Sequence, residues 1–345
     1  MSQVLSNREK DILRYIVENF VKFGIPVGSR TISKQLGMAL SSATIRNVMS
    51  DLEDNELIET PHTSAGRLPT DKGYRFYVDE LMNRETLNKN EMEIIKSKIE
   101  DSKNTVMNSD DLYTATSELL SKISHQLAVV TQPFLSSGVF EKLEVFSIAS
   151  TRLLVVITIK SGYVKTLLME VETEPSMHKI DRITQMLNER LSGLTLLQIK
   201  DTFSDRMSDF RSDEPELLQM FIDSIEKINE EEFVGKKVHI AGTAEIITQP
   251  EFEDPKKFKS IINIAENKNL VIHIIQNPGV NSNEVSVSIG SEMNEKKLKD
   301  YSVICADYKI GSVKGKVGII GPKRLNYAKM ISLIEYTSKI ISEYK

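Results

Sequence analysis

Ser41-Ser42-Ala43-Thr44-Ile45-Arg46-Asn47-Val48-Met49, followed closely by Pro61-His62-Thr63-Ser64-Ala65-Gly66-Arg67, is the stretch on which the reading of this chain turns. At about 100° per residue, Ile45, Val48, Met49 and Leu52 share one face of a helix. Ala43, Arg46, Asn47 and Ser50 point the other way, with Ser42 and Thr44 on the flanks and Ser41 or Ser42 as the cap. The outward face is small, neutral to basic and rich in hydrogen-bond donors, so it can approach the floor of a DNA major groove. Arginine suits guanine and asparagine suits adenine, each through a two-pronged contact. Arg46 and Asn47 therefore carry the base-reading role. Taken alone, an amphipathic helix with a solvated face is too common to decide anything; its neighbours give it meaning.

Upstream, Ile12, Leu13, Ile16, Val17 and Phe20 form one apolar helical stripe, with Asn7 as the expected cap and Gly24 and Pro26 ending the helix. A second short helix starts at Ser29, sets Ile32 and Leu36 one turn apart on its buried side, and stops at Gly37. Downstream, Leu57-Ile58-Glu59-Thr60 reads as a strand and the loop from Pro61 to Gly66 is rich in turn formers. Arg67-Leu68-Pro69 returns, and Thr70 or Asp71 caps a further helix through Tyr74, Tyr77, Val78 and Leu81. Three helices followed by a two-stranded ribbon make a winged helix-turn-helix. That arrangement puts Ser64 and Arg67 near a phosphate or the minor groove, with His62 and Thr63 as further donors. His62 has no second His or Cys close by, which disfavours a metal site there.

The chain has 345 residues, too many for one ordinary core, and 40% of them are hydrophobic against 27% charged, so a globular protein of two or three domains is expected. Its net charge of -5 looks unfavourable for nucleic acid. The charge is uneven, however: residues 2–50 hold seven basic and three acidic residues, a net of +4, and the acidic excess lies in runs such as Asp51 to Glu59 and Glu230-Glu231-Glu232. Cys305 is the only cysteine, which excludes an internal disulfide and fits a reducing cytoplasm. Residues 1–11 lack the apolar core of a signal peptide, and the aliphatic run Leu153 to Ile159 is far short of the roughly 20 residues that span a bilayer. A cytoplasmic location is expected.

Beyond Arg84 the pattern is one of helix, strands, helix and strands again. From Arg84 to Gln132 the chain favours helix, with Leu119, Leu120, Ile123 and Leu127 as an apolar stripe ending at Pro133. Leu143 to Ile148, Leu153 to Ile159 and Val164 to Val171 read as strands joined by hairpins. A helical region runs from about Met177 to Glu231, with Leu187, Leu191 and Leu194 in one part and Leu217, Leu218, Phe221, Ile222 and Ile225 in another. Strands are expected again at Val238 to Ala241, Leu270 to Ile275, Val285 to Ile289, Tyr301 to Ile310 and Gly315 to Gly321, before a closing helix with Met330, Ile331, Ile334, Ile340 and Ile341. An α+β, multidomain chain follows, one sheet domain holding another inserted within it. Gly311, Gly315 and Gly318 do not make a phosphate loop, because Gly311 to Lys316 is one residue too short and Val317 stands where Ser or Thr should hold Mg²⁺; hairpin turns are the better reading. His125, His178, His239 and His273 have no partners at ligand spacing, so no active site, metal or cofactor is expected. A single reading head covers too few base pairs to pick one site from a genome, so a homodimer on an inverted-repeat operator is predicted.

Ser42-Ala43-Thr44-Ile45-Arg46-Asn47, then Pro61 to Arg67, then Pro69-Thr70-Asp71-Lys72-Gly73-Tyr74-Arg75 resemble the HrcA family of heat-inducible transcription repressors. So do Ser286-Val287-Ser288-Ile289-Gly290-Ser291-Glu292, Ser302-Val303-Ile304, Tyr308 and the run from Gly318 to Tyr327, where Leu325 and Asn326 replace the expected Met and Asp. The middle third matches only loosely. The resemblance implies a winged helix-turn-helix over residues 1–83, a helical linker over 84–110, a GAF-like sensor domain in two segments, 111–172 and 268–345, and an inserted dimerisation domain over 173–267. It also implies repression of chaperone genes, chaperonin and Hsp70-type operons included, release on heat stress, and a GroEL-type chaperonin that keeps the repressor active. A repressor gated by a small metabolite in the GAF-like sheet stays open as the alternative.

Overall fold

The computed structural model describes residues 5–35, 41–61, 66–104, 109–134, 137–160, 164–171, 176–207, 219, 221–222, 238–276 and 284–343. These fall into two compact units, one of residues 1–129, 240–306 and 317–337, the other of residues 130–239, 307–316 and 338–345. The segments 177–207 and 240–267, which the sequence reading placed in one insert, thus fall in different units.

The larger unit begins with α1 (Asn7–Phe23), α2 (Ser29–Gln35) and α3 (Ser42–Asp54), then the ribbon β1 (Ile58–Glu59) and β2 (Leu68–Pro69), then α4 (Asp71–Phe76), which continues as a π-helical turn over Tyr77–Leu81. Ser6 caps α1, not Asn7, which is its first helical residue: Glu9 N–H donates to Ser6 Oγ, and the Glu9 carboxylate accepts from Ser6 N–H at 2.7 Å. This reciprocal pair satisfies donors that Asn7 could not reach from inside the first turn. Gly24 ends α1 in the left-handed conformation (φ 67), its N–H donating to Phe20 O at 2.8 Å. Ile12, Leu13, Ile16 and Val17 are fully buried with Ile32, Ile45 and Leu52, so α1, α2 and α3 share one core. β1 and β2 pair antiparallel, Ile58 against Pro69 and Glu59 against Leu68. Thr70 caps α4, accepting from Gly73 N–H at 3.0 Å.

After residues 82–88, which form neither helix nor strand, the helices α5 (Lys89–Asn104) and α6 (Ser109–Ser124) lead to a five-stranded sheet. Its order is β7 (Val238–Ala241), β3 (Leu127–Thr131), β10 (Val313–Pro322), β9 (Tyr301–Ile310) and β8 (Val285–Ile289). Two expectations are corrected here. The helix expected through Leu127 ends at Ser124, the chain turns at His125 (φ 55), and Leu127–Thr131 is a strand buried at every position. The buried face of α6 is also not the predicted stripe, since Thr116, Ser117 and Ser121 are buried beside Leu120 while Leu119 and Ile123 are only half-buried. These hydroxyls bond to carbonyls of their own helix, at 2.7 Å for Thr116 to Leu112 and 2.8 Å for Ser117 to Thr114 and Ser121 to Glu118, so they enter the core with their polar demand met.

After β7 come a single helical turn at Thr243–Ile246 and the longer helices α9 (Pro255–Glu266) and α10 (Lys268–Gln276). No helix is expected from the sequence at Pro255–Glu266, and Leu270 to Ile275, expected as a strand, is helical. Asn267 decides against a strand: its side chain accepts from Leu270 N–H at 3.0 Å and starts the helix, and Val271, Ile272, Ile274 and Ile275 are then all buried. β8 and β9 run antiparallel, Val285 opposite Ala306 and Ile289 opposite Ser302. The last helix, α11 (Tyr327–Ser342), covers the expected apolar residues Met330 to Ile341. Gly311 (φ 60) sits in the turn before β10, as a hairpin requires. Gly315 and Gly318 lie inside β10 instead, and a Cβ at Gly315 would come within 2.4 Å of the Tyr308 ring.

The smaller unit is built on the meander β4 (Phe140–Ala149), β5 (Arg152–Ile159) and β6 (Val164–Glu170), with α7 (Met177–Leu191) and α8 (Leu196–Met207). One face of the meander is dry: Leu143, Leu153, Val155 and Ile157 pack on Ile180, Ile183 and Leu187 of α7 and Ile199 of α8. The other face stays exposed although it is apolar, with Phe146, Leu154 and Leu168 in register across the three strands. Of the apolar positions read between Leu217 and Ile225, Leu217, Leu218 and Ile225 lie outside the described residues.

Candidate nucleic-acid interface

Helix α3 is capped by Ser41, which accepts from Thr44 N–H at 3.1 Å and meets Thr44 Oγ1 at 3.0 Å. Its inner face is Ile45, Val48, Met49 and Leu52, all buried, and its outer face is Ala43, Arg46, Asn47 and Ser50, all exposed. Ser42 and Thr44 are half-buried on the flanks. Arg46, Asn47 and Ser50 make no side-chain hydrogen bond or ion pair among the described residues. A helix side with a guanidinium, a carboxamide and a hydroxyl all open to solvent is what base-edge recognition needs.

Arg67, expected near a phosphate or the minor groove, is paired within the fold. Its guanidinium clasps Glu53 at the end of α3, with Nε 2.9 Å and Nη2 2.8 Å from Glu53 Oε2, and Thr60 Oγ1 donates to the other oxygen at 2.6 Å. The Thr60 hydrogen bond, opposed by burial and helped by Arg67, holds the Glu53 carboxyl below its ordinary value. The Arg67 backbone also exchanges two hydrogen bonds with Val27, at 2.8 and 2.9 Å. Arg67 thus ties the ribbon to α3 and to the segment before α2, and its charge is already answered. Glu53 and Thr60 were not singled out from the sequence, because a contact 14 residues away along the chain has no local periodicity to reveal it. His62, Thr63 and Ser64 lie outside the described residues.

A second polar cluster lies where α4 and the end of α1 meet the β8 and β10 ends of the sheet. Arg75 forms a two-pronged pair with Glu292, Nε to Oε1 at 2.8 Å and Nη2 to Oε2 at 2.6 Å, and Nη2 also donates to Val287 O at 2.6 Å. Burial disfavours the charged guanidinium, but Glu292 and Asp79 outweigh it and raise the Arg75 pKa further. Asp71 accepts from Ser291 N–H and Ser291 Oγ, both at 2.9 Å, and from Lys323 Nζ at 2.6 Å. Arg324 pairs with Glu251, Nη2 to Oε2 at 3.1 Å, and donates through Nη1 to Val21 O at 2.7 Å, the last turn of α1. Between these contacts Tyr74 and Tyr327 are buried with ring centroids 5.8 Å apart, and Tyr327 bonds Ser302 at 2.7 Å. Burial, with smaller charge contributions, pushes both phenols well up. Most of these residues lie in the motifs named from the sequence, where nothing local marks a contact between them.

Beside this cluster lies an open cavity of about 470 Å³ bordered by Glu18, Lys22, Tyr77, Asn83, Arg324 and Asn326. Among the described residues no three His, Cys, Asp or Glu side chains converge as a metal site. No helix of the described residues is long and apolar enough to cross a membrane.

The family model described as HrcA protein C terminal domain matches residues 110–331. A protein named heat-inducible transcription repressor HrcA from Chlorobium phaeobacteroides (strain BS1) is 39% identical over 344 residues, covering 98% of this chain and 97% of its own length. Its namesake from Chlorobaculum tepidum is 40% identical over 346 residues, with 98% and 97% covered. Among solved structures, the crystal structure of a hypothetical protein at 2.2 Å resolution superposes with a TM-score of 0.56 at 21% identity, covering 99% of this chain and 97% of that one, a likeness of fold.

Proposed function

The chain belongs to the HrcA family of heat-inducible transcription repressors, and from that premise we propose that residues 5–83 act as a winged helix-turn-helix that reads an inverted-repeat operator as part of a homodimer. The observation that carries this is the open face of α3: Ala43, Arg46, Asn47 and Ser50 stand exposed on a helix whose other side is buried. Arg46 and Asn47 make the base contacts, Ser41, Ser42, Thr44 and Ser50 border them, and His62, Thr63 and Ser64 belong to the wing. Arg67 holds the wing to α3 through Glu53.

A second copy is the natural occupant of the exposed meander face. Phe146, Ile148, Val164 and Leu168 are each about half exposed there (49%, 54%, 53% and 57%), which a monomer in water does not sustain without cost. The dimer face therefore lies on residues 140–170, inside the smaller unit, and the five-stranded sheet with α6 and α11 is the GAF-like body. The operators are those of chaperonin and Hsp70-type genes in the cytoplasm. Heat releases the repressor, and a GroEL-type chaperonin sustains its folded form; anything that depletes that form lowers operator occupancy by mass action.

A footprint on the host's chaperone promoters tests this reading. Protection of two symmetric half-sites is expected, and no protection on any of them would overturn it. Occupancy followed at rising temperature should fall later when chaperonin is present; identical curves would remove the chaperonin from the scheme. The second reading is a repressor gated by a small metabolite in the GAF-like sheet. Calorimetry against candidate metabolites separates the two, since a gate must bind and must shift operator affinity by a matching factor.

A further inference from the structure

We propose that Asp71, Arg75 and Arg324, with their partners Glu292, Lys323 and Glu251, are positioning residues that clamp the DNA-reading head in one orientation and so decide which half-site spacing the dimer accepts. The inference rests on the repressor reading above and adds to it the part that sets operator geometry.

Covalently, the head is joined to the rest of its unit only through residues 82–88, which are neither helix nor strand. On such a tether alone it would swivel. Contacts on two helices of the head, α4 and α1, oppose this. Asp71 is fixed at the start of α4 by Ser291 and Lys323, Arg75 is fixed one turn later by Glu292 and Val287 O, and the end of α1 is fixed where Arg324 donates to Val21 O. Contacts on two separate helices restrain rotation more than contacts on one would.

The cluster is also built for close approach. Gly290 has φ +52, and a Cβ there would lie 2.3 Å from Asp71 Oδ2, so a side chain at this position would be strained and would displace the Asp71 carboxylate. The Arg75 and Glu292 side chains keep only 18% and 20% of their exposure, which makes their two-pronged contact geometrically demanding. None of the clamp residues sits on the outer face of α3. They can change how two heads are spaced without touching what each head reads.

The test uses the full-length chain and fluorescence anisotropy on three DNA probes: the footprinted operator, the same operator with two or four base pairs added between half-sites, and one half-site alone. Wild type should lose about 10-fold or more on the lengthened operators. Arg75→Ala and Asp71→Asn should bind the half-site as wild type does, bind the native operator about 10-fold more weakly, and respond little to added base pairs. The exchanged pair Arg75→Glu with Glu292→Arg should recover part of the spacing dependence. Variants that keep wild-type spacing dependence would overturn the clamp. If Arg75→Ala lost half-site binding because the head unfolds, the gentler Asp71→Asn decides by the same criterion. A wild type that binds no inverted repeat would overturn the repressor reading itself, a different outcome from failure of the clamp.

Discussion

The head carries two polar faces that use the same side-chain chemistry to opposite ends. On α3, Arg46, Asn47 and Ser50 are exposed and make no side-chain bond among the described residues; on α4, Arg75 and Asp71 are half-buried and paired, Arg75 with Glu292 and Val287 O, Asp71 with Ser291 and Lys323. An exposed donor exchanges water for a base edge at little cost, whereas a half-buried charge must be paired within the fold or the fold suffers. The contrast teaches that an arginine's burial and partners, not its presence in a motif, tell whether it reads a ligand or holds the reader in place. In the proposed function Arg46 is of the first kind, and in the proposed clamp Arg75 is of the second.

The largest expected effect lies on the clamp side. Glu292→Ala leaves Arg75 with its main partner gone in a place where only 18% of its side chain is exposed. Removing one member of a buried pair costs about 3–5 kcal/mol, and the residual exposure here puts the expectation near the lower end. Hydrogen exchange should show it first, in the amides of α4, and urea denaturation should show a lower midpoint. Arg46→Ala should do the reverse: stability within about 0.5 kcal/mol of wild type, but a loss of about 1–3 kcal/mol in discrimination at one base pair of each half-site. A destabilised Arg46 variant, or a Glu292 variant as stable as wild type, would dissolve the distinction between the two faces.

That distinction was half legible in the sequence. The α3 face could be read because helical periodicity separates Ile45, Val48, Met49 and Leu52 from Ala43, Arg46, Asn47 and Ser50 with no knowledge of anything distant. The clamp could not, since Arg75 meets Glu292 across 217 positions and nothing local distinguishes a paired arginine from a free one. Arg67 is the sharpest case: turn chemistry placed it correctly on the returning strand, but its partner Glu53 was counted only as part of an acidic run. The same limit explains the strand at Leu127–Thr131 and the helix at Lys268–Gln276. Short apolar runs fit either element, and Asn267 or the turn at His125 settles the matter only once neighbours are in place. Leu127–Thr131 is buried at every position and so shows no period to read, whereas the alternation of buried and exposed residues in α3 gives one.

Acid should separate the two faces as well. Burial pushes the Asp71 carboxyl up, but hydrogen bonds from Lys323 and Ser291 and the Lys323 charge outweigh it and hold its pKa below the ordinary 3.8. In Glu251, burial is likewise overcome by Arg324, and the pKa falls below the ordinary 4.5. A carboxyl with a depressed folded pKa is protonated first in the unfolded chain. Its contribution is therefore complete above the ordinary carboxylate range and is lost as pH falls through the depressed value, that is, below about 4. The outer face of α3 has no carboxylate among Ala43, Arg46, Asn47 and Ser50, so it is indifferent to this window. Thermal melting followed from pH 6 downward, at roughly half-unit steps, should show a steeper acid limb in wild type than in Asp71→Asn. Parallel limbs would mean that Asp71 contributes nothing through its charge.

Arg67 offers the smallest effect and the finest discrimination between the two kinds of arginine. Its side chain keeps 23% of its exposure and Glu53 keeps 33%, so the pair is closer to a surface ion pair than to the Arg75 clamp, and Arg67→Met should cost about 0.5–1 kcal/mol of stability. The informative measurement is the dependence of operator affinity on salt. A residue that contacts phosphate contributes about one unit to the slope of log affinity against log salt, and its removal flattens that slope by about one. An arginine whose charge is already held by Glu53 brings almost no net charge to the DNA, so the slope in Arg67→Met should match wild type while Lys or Arg changes on the free surface of the head reduce it. A slope flatter by about one would mean that Arg67 leaves Glu53 when DNA arrives, and it would then belong with Arg46 rather than with Arg75.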